Sequence, residues 1–135
     1  MAEASPGARA RPLSPHLQVW RWHVTLAASI LHRFTGMALY VGLLMLAGWA
    51  LALASGAAAY DRYMGLLASI PGKIVLFCMT VALFFHLANG LRHLAWDVGK
   101  GFAPRTADVT AWAALVFGLV AAVVVWIVAP MSGGL

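Results

Sequence analysis

The 135 residues are 63% hydrophobic and only 10% charged, with a mean hydropathy of +0.87. Ordinary soluble domains carry about 25% charged residues, so the composition points to a small membrane protein that folds as one domain over residues 1–135. The formal charge of +5 and the pI near 10.2 do not mark a nucleic-acid binder, because the basic residues form no single block and do not alternate with exposed aromatics.

The chain opens on an Ala/Pro/Arg-rich stretch, residues 1–23, in which Pro6, Pro12 and Pro15 oppose any long helix. It lacks the apolar core and cleavage site of a secretory signal. We read it as a short extramembrane segment that approaches the bilayer through Trp20 and Trp22, a residue type enriched at membrane interfaces. Three apolar runs follow, at about 24–54, 73–96 and 109–129. Each meets the roughly 20 residues required to cross a ~30 Å hydrocarbon core, and in lipid such runs must be helical to satisfy their own backbone. The predicted fold class is therefore all-α, with three transmembrane helices. Residues 55–72 are read as a polar connection with a turn signal at Pro71-Gly72, and residues 97–108 as a tight one holding Gly99, Gly101 and Pro104.

Basic residues set the expected orientation. Arg9, Arg11, Arg21, Arg33, Arg92, Lys100 and Arg105 fall on one side, and only Arg62 and Lys73 on the other. The positive-inside rule then puts the N-terminus in the cytoplasm, or in the matrix of a mitochondrion. The single cysteine, Cys78, lies within an apolar run and is read as a small hydrophobe.

Two polar clusters interrupt the apolar runs. On a helix, positions i, i+3, i+4 and i+7 share a face. The first run presents Ser29, His32, Arg33 and Gly36 on one face, and the second presents His86, Asn89, Gly90 and His93, with Asp97 a turn beyond. Ionisable groups inside a membrane mark function by default. Histidines beside an arginine fit a haem, whose iron takes imidazole and whose propionates pair with cationic donors such as Arg92 and the outer histidine. His86 and His93 lie about 10.5 Å apart along one helix face, so at most one of them ligates a given iron, and the deeper His86 is the better candidate. The opposite ligand must come from His32 or from another chain.

Other readings stay open on these residues. Intramembrane histidines also bond between helices, Arg92 and Asp97 could pair at a helix end, and Ser29 could bond back to its own backbone. Asn89 could neighbour a cofactor or pack between helices. Two further classes compete with a redox subunit: a haem-free structural anchor, and a proton-conducting subunit using His32, Arg33, His86 and Asp97.

Three stretches carry a family resemblance: RPLSPHLQVW at 11–20, SILHRFTG at 29–36 and HLANGLRHLAWD at 86–97. Their order and spacing resemble the cytochrome b556 subunits of succinate dehydrogenase, or complex II. The resemblance implies a haem b- and ubiquinone-binding membrane anchor that takes part in quinone reduction and carries no succinate-oxidising chemistry. It implies His86 as an axial ligand of the haem iron, with the other ligand supplied by a second small membrane-anchor subunit. His32, Arg33 and His93 would lie near the propionates, and Ser29 and Arg33 at the quinone. Apart from the resemblance, Asp97 is a candidate point of proton entry or, with Arg92, a helix-end pair. The implied partners are the second anchor, an iron–sulfur subunit, a flavoprotein subunit and the lipid bilayer. The implied location is a bacterial inner membrane, with the mitochondrial inner membrane as the alternative.

Overall fold

The computed structural model describes residues 21–131. Most of the N-terminal segment, including Trp20, lies outside the described residues. Four helices occur among those described: α1 (Val24–Ala54), α2 (Ala57–Ala68), α3 (Ile70–Asp97) and α4 (Pro104–Met131). Three of them, over Val24–Ala54, Ile70–Asp97 and Pro104–Ala129, are long and apolar enough to cross a membrane. At 1.5 Å per residue α1 is about 46 Å long, so it either tilts or extends past the hydrocarbon core.

The segment between the first two spans, read as a connection with a turn signal at Pro71-Gly72, is mostly helical. Residues Ala57–Ala68 form α2, and α3 begins at Ile70 rather than near Lys73. Ser69 makes both boundaries. Its hydroxyl donates to Leu66 O at 2.6 Å, closing α2, and accepts from Gly72 N–H at 3.3 Å, capping α3. Pro71 therefore stands in the first turn of α3, where a missing N–H is harmless, and does not mark a turn. Gly72 is required by space, because a Cβ there would collide with the carbonyls of Leu66 and Leu67. The third span likewise begins earlier than its apolar run. Pro104 opens α4 and the polar residues Arg105, Thr106 and Asp108 fill its first turns, since a helix can emerge from lipid without breaking.

The other end of α3 closes with two reversing bonds. Gly99 N–H donates to Trp96 O at 2.8 Å and Lys100 N–H to Ala95 O at 3.0 Å. Gly99 has φ 77°, the left-handed conformation this helix terminus demands and glycine adopts without strain.

α1, α3 and α4 pack as a bundle in which α3 is central, with its most extensive contact to α4 and the next to α1. The core is built from small residues around one large ring: Ala28, Ala111 and Ala114 surround Phe85, flanked by Val24, Ala88 and Leu115. In lipid the helices gain little from hydrophobicity and associate by close packing, which small residues permit. The tightest point is Gly118, where an added Cβ would stand 2.7 Å from Phe85 Cβ and 2.9 Å from its Cα. Trp126 and Thr80 tie the same two helices further along, with the indole N–H donating to Thr80 Oγ1 at 3.2 Å. Gly118→Val should force α4 away from α3 and destabilise the fold by about 1–3 kcal/mol. Thermal unfolding in detergent checks this, with an unchanged midpoint as the contrary result.

Candidate functional site

The N-terminal part of α1, the C-terminal part of α3 and the start of α4 meet at one end of the bundle, and the polar residues collect there. Ala28 is fully buried against the core, which fixes the rotation of α1 and turns His32 toward α3.

The His32 ring stacks on that of His86 with centroids 3.9 Å apart and planes 9° from parallel. His93 lies on the other side of the cluster, 4.8 Å from His32 and tilted by 41°. The three imidazoles pile face on face instead of aiming their nitrogens at a common point, and among the described residues no group of His, Cys, Asp or Glu is arranged to hold a bare metal ion. Gly36 makes room for this packing, whereas a Cβ at Gly90 would make only ordinary contact. A Cβ at Gly36 would stand 3.2 Å from His86 Cε1, and one at Gly90 3.9 Å from His32 Cε1.

The proton positions on two of these rings follow from their partners. His86 Nδ1 lies 3.2 Å from the His32 carbonyl oxygen and 3.1 Å from Thr35 Oγ1. The Thr35 hydroxyl has its own acceptors in Leu31 O at 2.8 Å and His32 O at 3.0 Å, so it receives from His86. Both neighbours of Nδ1 are thus acceptors. Nδ1 carries the hydrogen, and Nε2 keeps a free lone pair. His93 Nδ1 similarly donates to Asn89 O at 2.9 Å. His32 Nδ1 is buried without a hydrogen-bond partner.

Arg92 does not join this cluster. It is only 7% exposed and points to α4, donating from Nε to Thr110 Oγ1 at 3.0 Å and from Nη2 to Ala107 O at 3.1 Å. Nη1 reaches Asn89 Oδ1 at 3.4 Å, and the guanidinium lies 4.0 Å from the centre of the Trp96 ring. Hydrogen bonds to a charged group contribute about 1.5–3 kcal/mol each, so Arg92 is held on the side away from the imidazoles. Arg92 thus faces Thr110 and Ala107 of α4 rather than His93, and no ion pair joins it to Asp97, which stands exposed at the end of α3. Asn89, fully buried, serves helix packing through Arg92 and leaves its Nδ2 without a partner.

Ser29 is half-buried and Arg33 exposed on α1. They lie one turn apart on the face that also carries His32, and neither side chain has a hydrogen-bond or ion-pair partner among the described residues. The bond from Ser29 back to its own helix that the sequence left open is not formed.

Sequence reasoning passed over several residues. Thr35 falls within SILHRFTG, and its i+3 spacing from His32 puts it on the same face. Thr110, Asp108 and His23 stand in no motif that marks them in the sequence. His23 caps α1, its Nδ1 accepting from Thr25 N–H at 3.4 Å and from Thr25 Oγ1 at 2.8 Å. Its Nε2 then faces Asp108 of α4 at 3.3 Å. No local pattern announces a pairing between residues so far apart in the chain.

Comparison with known proteins accords with this geometry. Residues 7–125 match the family model of the succinate dehydrogenase/fumarate reductase transmembrane subunit. The chain is 37% identical over 128 residues to the succinate dehydrogenase cytochrome b556 subunit of Paracoccus denitrificans, a match covering 95% of this chain and 97% of that one. With the cytochrome b556 subunit of Rickettsia felis it shares 36% over 118 residues, covering 87% and 91%. With the mitochondrial cytochrome b560 subunit of Homo sapiens it shares 40% over 96 residues, covering 67% and 55%. A family model spanning most of the chain, bacterial relatives this similar over nearly their whole length, and three membrane-length helices lead to one conclusion: the chain belongs to the family of succinate dehydrogenase/fumarate reductase transmembrane subunits.

Proposed function

We propose that this chain is a haem b- and ubiquinone-binding anchor of a succinate:quinone oxidoreductase, set in a bacterial inner membrane with its N-terminus in the cytoplasm. The observation that carries the proposal is His86, whose Nδ1–H is engaged by His32 O and Thr35 Oγ1 while Nε2 remains a free donor to iron. Iron-ligating histidines are oriented in this way, by a hydrogen bond from the second ring nitrogen. The name cytochrome b556 carried by relatives supports haem b as the group that such a ligand would hold.

The residues present fit that group. His86 would hold the iron through Nε2. The cluster offers one such deep nitrogen with His32 stacked against it, and a second small anchor subunit would supply the other ligand. His93, Arg33 and the unpartnered Nδ1 of His32 are the groups available to propionates. When bound, haem b supplies one-electron storage beside the quinone.

Ser29 and Arg33 serve the quinone. The Ser29 hydroxyl donates to a quinone carbonyl, and the Arg33 guanidinium stabilises negative charge as it develops on the quinone oxygen. That electrostatic role is strong where water is scarce. Reduction to ubiquinol takes two electrons, delivered through an iron–sulfur subunit from a flavoprotein subunit that oxidises succinate. The two protons come from the cytoplasmic side, where exposed Asp97 stands at the end of α3 as the proposed entry.

In the co-expressed membrane complex, His86→Leu should abolish the reduced b-type absorption band seen with the parent chain. Retention of the full band removes His86 as a ligand, and absence of a band in the parent leaves a haem-free anchor or a proton-conducting subunit. Arg33→Leu should lower quinone reduction by about 10²-fold, the scale for losing one such donor, while succinate oxidation with an artificial acceptor continues. Equal loss of both activities would place Arg33 in assembly, not at the quinone.

A further inference from the structure

Thr35 stands in direct contact with His86 through a hydroxyl whose direction its neighbours dictate. Threonine in a membrane helix commonly turns its hydroxyl back to a carbonyl of the preceding turn, and Thr35 does so, toward Leu31 O at 2.8 Å and His32 O at 3.0 Å. In most settings the bond ends there and the oxygen's lone pairs are idle. Here one lone pair faces His86 Nδ1 at 3.1 Å. The hydroxyl proton is already committed to α1, so Thr35 offers His86 only an acceptor. The His32 carbonyl, 3.2 Å from the same nitrogen, offers another. His86 is thereby held by two acceptors from α1, while the missing Cβ of Gly36 lets its Cε1 approach.

We propose that Thr35 is a positioning residue for haem ligation: through its back-bonded hydroxyl it fixes the orientation of the His86 ring, keeps the hydrogen on Nδ1 and makes Nε2 a stronger donor to iron. The proposal rests on the haem reading of His86. Acceptance of the Nδ1 hydrogen pushes electron density into the ring, and a more electron-rich imidazole favours the ferric over the ferrous state. Hydrogen bonding around the ligand is one of the levers by which a protein sets haem potential, and loss of such an outer partner costs about 10–100-fold in metal affinity or activity.

The test uses Thr35→Val, which keeps the side-chain shape and removes the acceptor, with Thr35→Ser as the conservative variant, each in the complete membrane complex. Haem content and the midpoint potential of the b-type band are measured by redox titration. Thr35→Val should either lose haem, by about 10–100-fold in affinity, or retain it at a more positive potential. Each tenfold change in the ratio of ferric to ferrous affinity appears as a shift of about 59 mV. Thr35→Ser should restore both properties. A residue that merely packs would alter stability and leave the potential where it was.

Full haem content at an unchanged potential in Thr35→Val overturns the role of Thr35 and leaves haem ligation by His86 standing. A parent complex without a b-type band overturns both. If Thr35→Val does not assemble, Thr35→Ala takes its place, and failure of both variants to assemble makes Thr35 a packing residue and overturns the proposal.

Discussion

His86 Nδ1 reaches from α3 to the main chain of α1, and the arrangement of the polar end depends on that reach. The bond to His32 O and its companion to Thr35 Oγ1 join two helices that otherwise meet through small apolar residues. In an apolar medium an unmet N–H is expensive, so the bond also selects one rotation of α3 about its axis. That rotation places Asn89 and Arg92 toward α4 and stacks His32 on His86. One interhelical contact thus sorts the polar residues of α3 into two faces with different work.

The α4 face is structural. Arg92, Asn89, Thr110 and Trp96 form a hydrogen-bonded knot that binds the end of α3 to the start of α4, with Asn89 Nδ2 left unpaired, and Trp96 extends it into the following turn by donating to Gly101 O at 3.2 Å. The α1 face is left with open valences: Nε2 of His86, Nδ1 of His32, and the side chains of Ser29 and Arg33. Native structures seldom leave buried polar groups unpaired, and those that do occur call for an explanation. Among the described residues, the buried atoms without a hydrogen-bond partner are His32 Nδ1 on the α1 side and Asn89 Nδ2 and Asp108 Oδ1 on the α4 side.

Much of this was legible in the sequence because helical periodicity is a strong signal. The i, i+3, i+4 spacing of Ser29, His32, Arg33 and Gly36, and of His86, Asn89, Gly90 and His93, defined two polar stripes, and long apolar runs with few charges defined the spans. What stayed hidden depends on direction and not on position. Arg92 shares its helix end with His93 but lies about 100° around the axis from it, enough to send a long side chain to a different neighbour. Composition also misled where the backbone overrode it. The connecting segment that holds Asp61 and Arg62 is helical over Ala57–Ala68, and Ser69 supplies a stop for that helix and a start for the next. Pro71-Gly72 looked like a turn because both residues favour turns, and the N-terminal tolerance of proline was the competing rule that prevailed.

The far end of the bundle has a bearing on the polar end through the phenolic group of Tyr63. Its hydroxyl donates to Met45 O at 2.6 Å, and the ring rests on Gly48, where a Cβ would stand 3.3 Å away. Met45 is thirteen residues beyond His32 on α1, about 20 Å along the axis, and α2 is tethered to α3 through Ser69. The two long helices are therefore braced at both heights. Sliding α1 past α3 by one helical turn, about 5.4 Å, would break the imidazole stack at one end and the tyrosine brace at the other. The depth of Ser29 and Arg33 along the bundle is thus set jointly from the two ends, and a short helix remote from the histidines acts as the stop that holds them level.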